Sequence, residues 1–205
     1  MISVIIRTIN RDTLKYSIKS ATEEFGAENI IVVADAVDLD LSSLPDNVTY
    51  LRTGQKFDKY GSAAINLGAY ACKTEYFCLL DDDDEFLKGA GDFMRNKIKS
   101  KPEIDIWIPG IYYPTESTKK RKLMACISPK KGVVVGNIAV PTYKTKLLFK
   151  LPFCSILTEK YPDLSDFVHV KELVKLGAKI DWYGAGLYCV RPRLKGMNGR
   201  GKKWK

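Results

Sequence analysis

The sequence predicts an α/β domain built on a mainly parallel sheet flanked by helices, and three observations predict it. Apolar runs of strand length alternate with helix-spaced segments over the first 110 residues, the pattern of a parallel sheet covered on both faces. Those runs (Ser3–Thr8, Asn29–Ala34, Tyr76–Leu80) are nearly continuous in apolar residues instead of alternating, as strands buried on both faces are. The last of them runs straight into Asp81-Asp82-Asp83-Asp84-Glu85, so carboxylates crowd the C-terminal edge of a strand, where open α/β sheets bind ligands.

In chain order, Ser3–Thr8 reads as a strand, and Leu14, Ile18, Ala21 and Phe25 give Arg11–Phe25 helical spacing. Asn29–Ala34 is a second strand ending in Asp35, and Val48–Arg52 a third. Gly61–Cys72 reads as a helix of small residues, Tyr76–Leu80 as the fourth strand and Phe86–Ser100 as a helix. Ile104–Ile108, Ile111–Tyr113 and Val133–Val140 are strand-like, and Thr145–Phe149 opens a short helix. Phe167–Leu176 is a helix stopped by Gly177, followed by a last strand at either Lys179–Tyr183 or Leu187–Val190. With no repeat and no Pro/Gly/Ser linker, the 205 residues are expected to form a single domain, 1–205.

Composition narrows the function classes. No apolar stretch approaches the roughly 20 residues that cross a bilayer, and Met1–Arg7 has neither the basic start nor the cleavage site of a signal peptide. The cysteines number five and form no CxxC pair, which argues against a disulfide framework or zinc site and for a reducing, cytoplasmic location. The net charge of +9 is unevenly placed. Residues 1–100 carry 12 Lys/Arg against 16 Asp/Glu (net −4), and residues 101–205 carry 21 against 8 (net +13). A basic surplus of that size attracts polyanions, and it concentrates at Lys119–Lys122, Lys130-Lys131, Lys144–Lys150 and the tail from Arg191. The expectation is a division of labour near residue 100.

Clustered like charges are costly unless a cation relieves them, and carboxylate oxygens suit hard ions such as Mg²⁺ or Mn²⁺. A solvated acidic turn is the alternative. Neither GxGxxG nor GxxxxGK[ST] is present, so a nucleotide here is held by side chains and metal, not by a glycine cradle.

Three segments resemble the inverting, nucleotide-sugar-dependent glycosyltransferases of the GT-A fold, family two in particular. Ser3–Thr8 resembles the opening strand, and Ile30–Asp35 the second strand with its base-contacting Asp. Gly61–Ala69, with Asn66 and Gly68, followed by Glu75–Asp83, resembles the family's stretch ending in the DxD motif. Further on, Asp166-Phe167 and Leu173–Ile180 resemble the segment carrying the catalytic base, although Ser165 stands where the family has Glu. The resemblance implies a nucleoside diphosphate sugar as donor, a UDP-sugar by the second-strand Asp. Nucleotide contacts are accordingly expected from Thr8, Arg11, Asp35, Asn66 and Asp81; apart from the resemblance, the basic tail offers Arg191, with Arg193 beside it, to close over the diphosphate, a solvated terminus being the alternative. The resemblance makes Asp81 and Asp83 the Mg²⁺ or Mn²⁺ site, and Asp166 the general base, with Asp163 as substitute. Asp166 also reads as an ordinary helix cap, and His169 as structural.

The acceptor is open on sequence grounds. Duplex DNA with a hydroxymethylated base accounts for the basic second half, its target base flipped toward the metal site. Envelope polysaccharide or lipopolysaccharide synthesis is the alternative, and a nucleic-acid-binding module without catalysis a third.

Overall fold

The structure, a computed structural model, describes residues 1–56, 61–114, 121–124, 127–128, 133–134, 141–153 and 165–189. The strands are β1 (Ile2–Thr8), β2 (Ile30–Ala34), β3 (Thr49–Arg52), β4 (Tyr76–Asp81), β5 (Glu85–Phe86), β6 (Ile106–Pro114), β7 (Arg121–Met124), β8 (Ile127–Ser128), β9 (Val133–Val134), β10 (Thr142–Lys144) and β11 (Ile180–Cys189). The helices are α1 (Leu14–Phe25), α2 (Ser62–Ala71), α3 (Ala90–Ser100) and α4 (Ser165–Lys175). Nine strands form one sheet in the order β3-β2-β1-β4-β10-β6-β11-β5, with β7 on β6, and β8 pairs β9 apart from it. The block β3-β2-β1-β4 is wholly parallel, as expected for the half that carries the carboxylates.

Burial explains the continuous apolar runs. All five residues of β2 and the first five of β1 are buried, sandwiched between helices, so no polar face is needed. Helix α1 turns Leu14, Ile18, Ala21 and Phe25 inward, at the three-and-four spacing of one helix face. Helix α2 lies close on the sheet because Gly68 has no side chain. A Cβ there would stand 2.6 Å from Ile5 Cγ2 and 3.0 Å from Val33 Cγ2. Both neighbours are buried β-branched residues with little freedom to move. Gly68→Ala is therefore expected to destabilise the domain by about 1–3 kcal/mol through overpacking, read as a lowered denaturation midpoint; an unchanged midpoint would show that the helix can slide.

Several elements differ from the sequence reading. The helix expected from Phe86 begins at Ala90, because Glu85 and Phe86 pair with Cys189 and Tyr188 as β5. Its start is fixed from outside: Glu24 of α1 accepts from the N–H groups of Gly89 and Gly91, both at 2.9 Å, a carboxylate at a helix N-terminus. The helix expected from Arg11 begins at Leu14, after a turn closed by Leu14 N–H on Arg11 O. The two strands expected between Ile104 and Tyr113 are one, β6, and the two alternatives for the last strand are likewise one, β11. These strands run parallel with register shifts near Gly186, where irregularity broke the apolar signal. Three-residue β10, too short for a periodic signal, lies antiparallel between β4 and β6. Of the strand expected at 133–140, residues 135–140 lie outside the described residues.

Candidate active site

The parallel block delivers its side chains to one edge. Arg7 pairs in register with Asp81, and Thr8 with Ala34, so the exits of β1, β2 and β4 stand side by side. Between them lies a cleft of about 180 Å³. Asp35, Asp81, Asp82 and Asp83 line it, facing Arg7, Arg11 and Lys56, with Thr8, Ile9 and Gly61 completing the wall.

The four consecutive aspartates do different things. Asp82 is buried and holds the β1 exit, accepting from Thr8 Oγ1 at 2.7 Å, from Ile9 N–H at 3.1 Å and from Arg11 Nη1. Asp81 accepts from Arg7 Nε at 3.0 Å. Asp83 and Asp84 are buried, and a turn closed by Asp84 N–H on Asp81 O at 3.1 Å brings Asp84 back toward Asp81. Carboxylate oxygens of Asp81, Asp83 and Asp84 lie within 4.8 Å of one another, a hard-oxygen triad able to hold a divalent metal. The two ligands expected from the sequence, Asp81 and Asp83, are in it, and Asp84 joins them.

Arg11 sits against this cluster, its Nη1 3.8 Å from Asp83 Oδ2 as well as on Asp82. Partial burial alone would lower its pKa, but the charges of Asp82 and Asp83 outweigh it and raise it. The guanidinium is thus a fixed cation at the mouth of an acidic cleft. The chain bends sharply after it leaves β1. Asn10 takes a left-handed φ of 65°, tolerated by Asn, with its N–H on Thr8 Oγ1 at 2.9 Å and its carboxamide donating to Asp38 O at 3.1 Å. Thr8 donates its hydroxyl proton to Asp82 and accepts from Asn10, so it shapes the cleft from within. Gly61, before α2, has φ 67°, and a Cβ there would stand 3.2 Å from Arg7 Cδ.

Asn66 corrects an expectation. It does not line the cleft: its carboxamide donates to Phe153 O and accepts from Phe153 N–H, both at 2.9 Å. Phe153 in turn stacks on His169 of α4 at 3.9 Å between ring centroids. His169 is buried with Nε2 3.0 Å from Leu151 O, and burial pushes its pKa down to about 4, so it is a neutral packing group. Asn66 therefore ties α2 to α4. Asp166 is the second residue of α4, inside its first turn. Asp163, Arg191 and Arg193 lie outside the described residues, as do Lys119, Lys120, Lys130 and Lys131.

Arg7, Lys56 and Asp84 went unassigned in the sequence. Only strand register sets Arg7 opposite Asp81, and only the 81–84 turn returns Asp84 to the cluster.

A parallel block whose strand exits carry a carboxylate triad beside fixed cations is an α/β arrangement able to hold a divalent metal and an anionic ligand. The sequence profile of glycosyl transferase family 2 matches residues 3–157. The chain belongs to that family. No curated protein matches it significantly. Among solved structures it is similar to TarS of S. aureus, residues 1–349, with a TM-score of 0.68 at 15% identity over 92% of this chain and 59% of that one. The same TarS fragment in complex with UDP gives 0.69 at 14% identity over 92% and 59%. In complex with UDP-GlcNAc it gives 0.68 at 15% over 99% and 61%. At such identity the likeness is one of fold, and this chain spans about three fifths of that fragment. Among the described residues, no helix is long and apolar enough to cross a membrane.

Proposed function

We propose that this domain transfers a sugar from a UDP-sugar to a hydroxyl of an anionic envelope glycan, by single displacement with inversion. The observation that carries it is the cleft itself, where Asp35 at the exit of β2 and Asp81 and Asp83 at the exit of β4 face Arg7 and Arg11 from the intervening β1 and the turn after it. On this reading Asp35 takes the base, Asp81 the ribose, and Asp81 and Asp83 with Asp84 hold Mg²⁺ or Mn²⁺. When bound, that ion supplies a Lewis acid for the diphosphate charge. Arg11, held by Asp82, supplies fixed positive charge at the same place, and Arg191 is assigned to the diphosphate from the tail.

Asp166 takes the proton from the acceptor hydroxyl as its oxygen bonds to the anomeric carbon. The bond from that carbon to the diphosphate breaks, and UDP leaves. Residues 1–100 form the donor half and 101–205 the acceptor half, whose +13 charge meets a polyanion. The TarS complexes with UDP and UDP-GlcNAc support a UDP donor. Family membership favours an enzyme over the non-catalytic module, and neither it nor these neighbours extends to a DNA-modifying enzyme. Duplex DNA stays as a second reading on the basic surplus alone.

The test is a panel of nucleotide sugars incubated with the protein and Mg²⁺ or Mn²⁺, since slow donor hydrolysis requires no acceptor. UDP-sugars are expected to be hydrolysed and other nucleotide sugars spared; no metal-dependent hydrolysis of any of them would remove the reading. Transfer is then compared on anionic glycan and on hydroxymethylated duplex DNA. A DNA acceptor would show binding that falls with log salt at a slope of about −0.9 per neutralised phosphate, flattened by replacing Lys119, Lys120, Arg121 and Lys122 with Ala.

A further inference from the structure

We propose that Thr53 is a positioning residue that sets nucleobase discrimination by locking the Asp35 carboxylate in one orientation; this rests on the reading of the cleft as a nucleotide site. Thr53 follows β3 and is buried, 5% exposed. Its N–H bonds Ala34 O at 3.0 Å, while Asp35 N–H bonds Thr8 O at 2.9 Å, so the end of β2 is clamped by both neighbouring strands.

The residue after Asp35 is in an unfavourable conformation. Ala36 has φ 58°, a left-handed backbone that a residue with a Cβ rarely adopts and that persists only where its surroundings impose it. The Ala36 N–H is shared between Ala34 O, at 3.1 Å, and the nearer Thr53 hydroxyl. The hydroxyl oxygen accepts from Ala36 N–H at 2.9 Å and stands 3.3 Å from Asp35 Oδ1. Ala34 O, 3.4 Å away, competes for the single hydroxyl proton. The carboxylate is the nearer and the charged acceptor, and charge-assisted hydrogen bonds are the stronger. One hydroxyl thereby joins the strained turn to the carboxylate on it. With Oδ1 held by Thr53, Oδ2 is the oxygen beside Gly61, 3.7 Å from where a Cβ on that residue would stand, and both Asp35 and Gly61 line the cleft.

A carboxylate fixed in this way is a directional acceptor. It accepts an N–H such as N3–H of uracil, and it repels the lone pair that cytosine carries at the same ring position. A carboxylate free to rotate, or able to meet the base through water, discriminates less. Rigidity of Asp35, and not only its charge, is what Thr53 contributes.

The test measures UDP and CDP affinity in Mn²⁺ by calorimetry for the full chain, comparing wild type with Thr53→Val and Thr53→Ser. Valine keeps the volume and removes the hydroxyl; serine keeps the hydroxyl. Loss of one hydrogen bond of about 1 kcal/mol predicts UDP binding weakened roughly fivefold. The UDP-over-CDP preference narrows, kcat at saturating donor is unchanged, and serine restores both affinity and preference. In an Asp35→Asn background, Thr53→Val adds no further loss, because the group it positions is already altered. A UDP-over-CDP ratio unchanged in Thr53→Val, even with a lowered melting temperature, would reduce Thr53 to a structural role and overturn the proposal. Losses that multiply in the double variant would do the same. If Asp35→Asn leaves UDP affinity intact, the nucleotide reading of the cleft falls first, and the proposal with it.

Discussion

Asp83→Asn is expected to lower metal-dependent sugar transfer by about three orders of magnitude, and to leave the fold intact. Asp83 belongs to the triad with Asp81 and Asp84 and is buried. The substitution replaces a charged, two-oxygen donor with a neutral carbonyl, a poorer ligand for a hard cation. A metal that stabilises diphosphate charge is worth several kcal/mol, and about 4 kcal/mol corresponds to roughly 10³ in rate. The fold is expected to be spared because asparagine matches aspartate in size and the hydrogen bonds from Thr8, Ile9 and Arg11 to Asp82 are kept. Calorimetry of UDP with Mn²⁺, beside a thermal unfolding curve, separates the two effects. Unchanged UDP affinity in the presence of Mn²⁺ would remove Asp83 from the metal site. A collapsed unfolding transition would show that Asp83 is structural.

Much of this site is legible in the sequence because each part leaves a local mark. Buried strands announce themselves by continuous apolar runs, and a strand exit is where the run meets its first carboxylates. The residue pattern alone therefore places Asp35, Asp81 and Asp83 at one edge of the sheet. The distinct job of Asp82 is not legible. Four identical residues in a row carry no signal of which faces the cleft and which turns back to Thr8, Ile9 and Arg11. Asn66 misleads for a related reason. Its glycine-flanked helix is recognisable, but its partner Phe153 is 87 residues away and is met through backbone atoms, which any residue type offers. The second half is least readable. There, short strands such as β10 and irregular ones such as β11 are held by pairing across the sheet and not by their own periodicity.

The Asn66 tie bears on the base, and hence on the remaining large effect. Asp166→Asn is expected to reduce transfer by about 10²–10⁴-fold while donor affinity stays within about twofold, the range a positioned general base supplies. Helix α4 carries Asp166 in its first turn and buries Val168, His169, Val170 and Leu173. It is held through His169, Phe153 and Asn66 to α2, the helix that begins next to Gly61 in the donor cleft. A base delivered from α4 is thus referenced to the donor half by packed, hydrogen-bonded groups. Asparagine is isosteric and well accepted at helix starts, so the substitution removes the proton acceptor without unseating the helix. On the proposed reading donor binding is assigned to Asp35 and the 81–84 turn, so donor affinity is expected to survive the substitution. Initial rates at saturating donor, paired with UDP calorimetry, give the answer. Full turnover in Asp166→Asn would move the role to Asp163. A product that keeps the donor's anomeric configuration would end the single-displacement mechanism, because one in-line attack at that carbon must invert it.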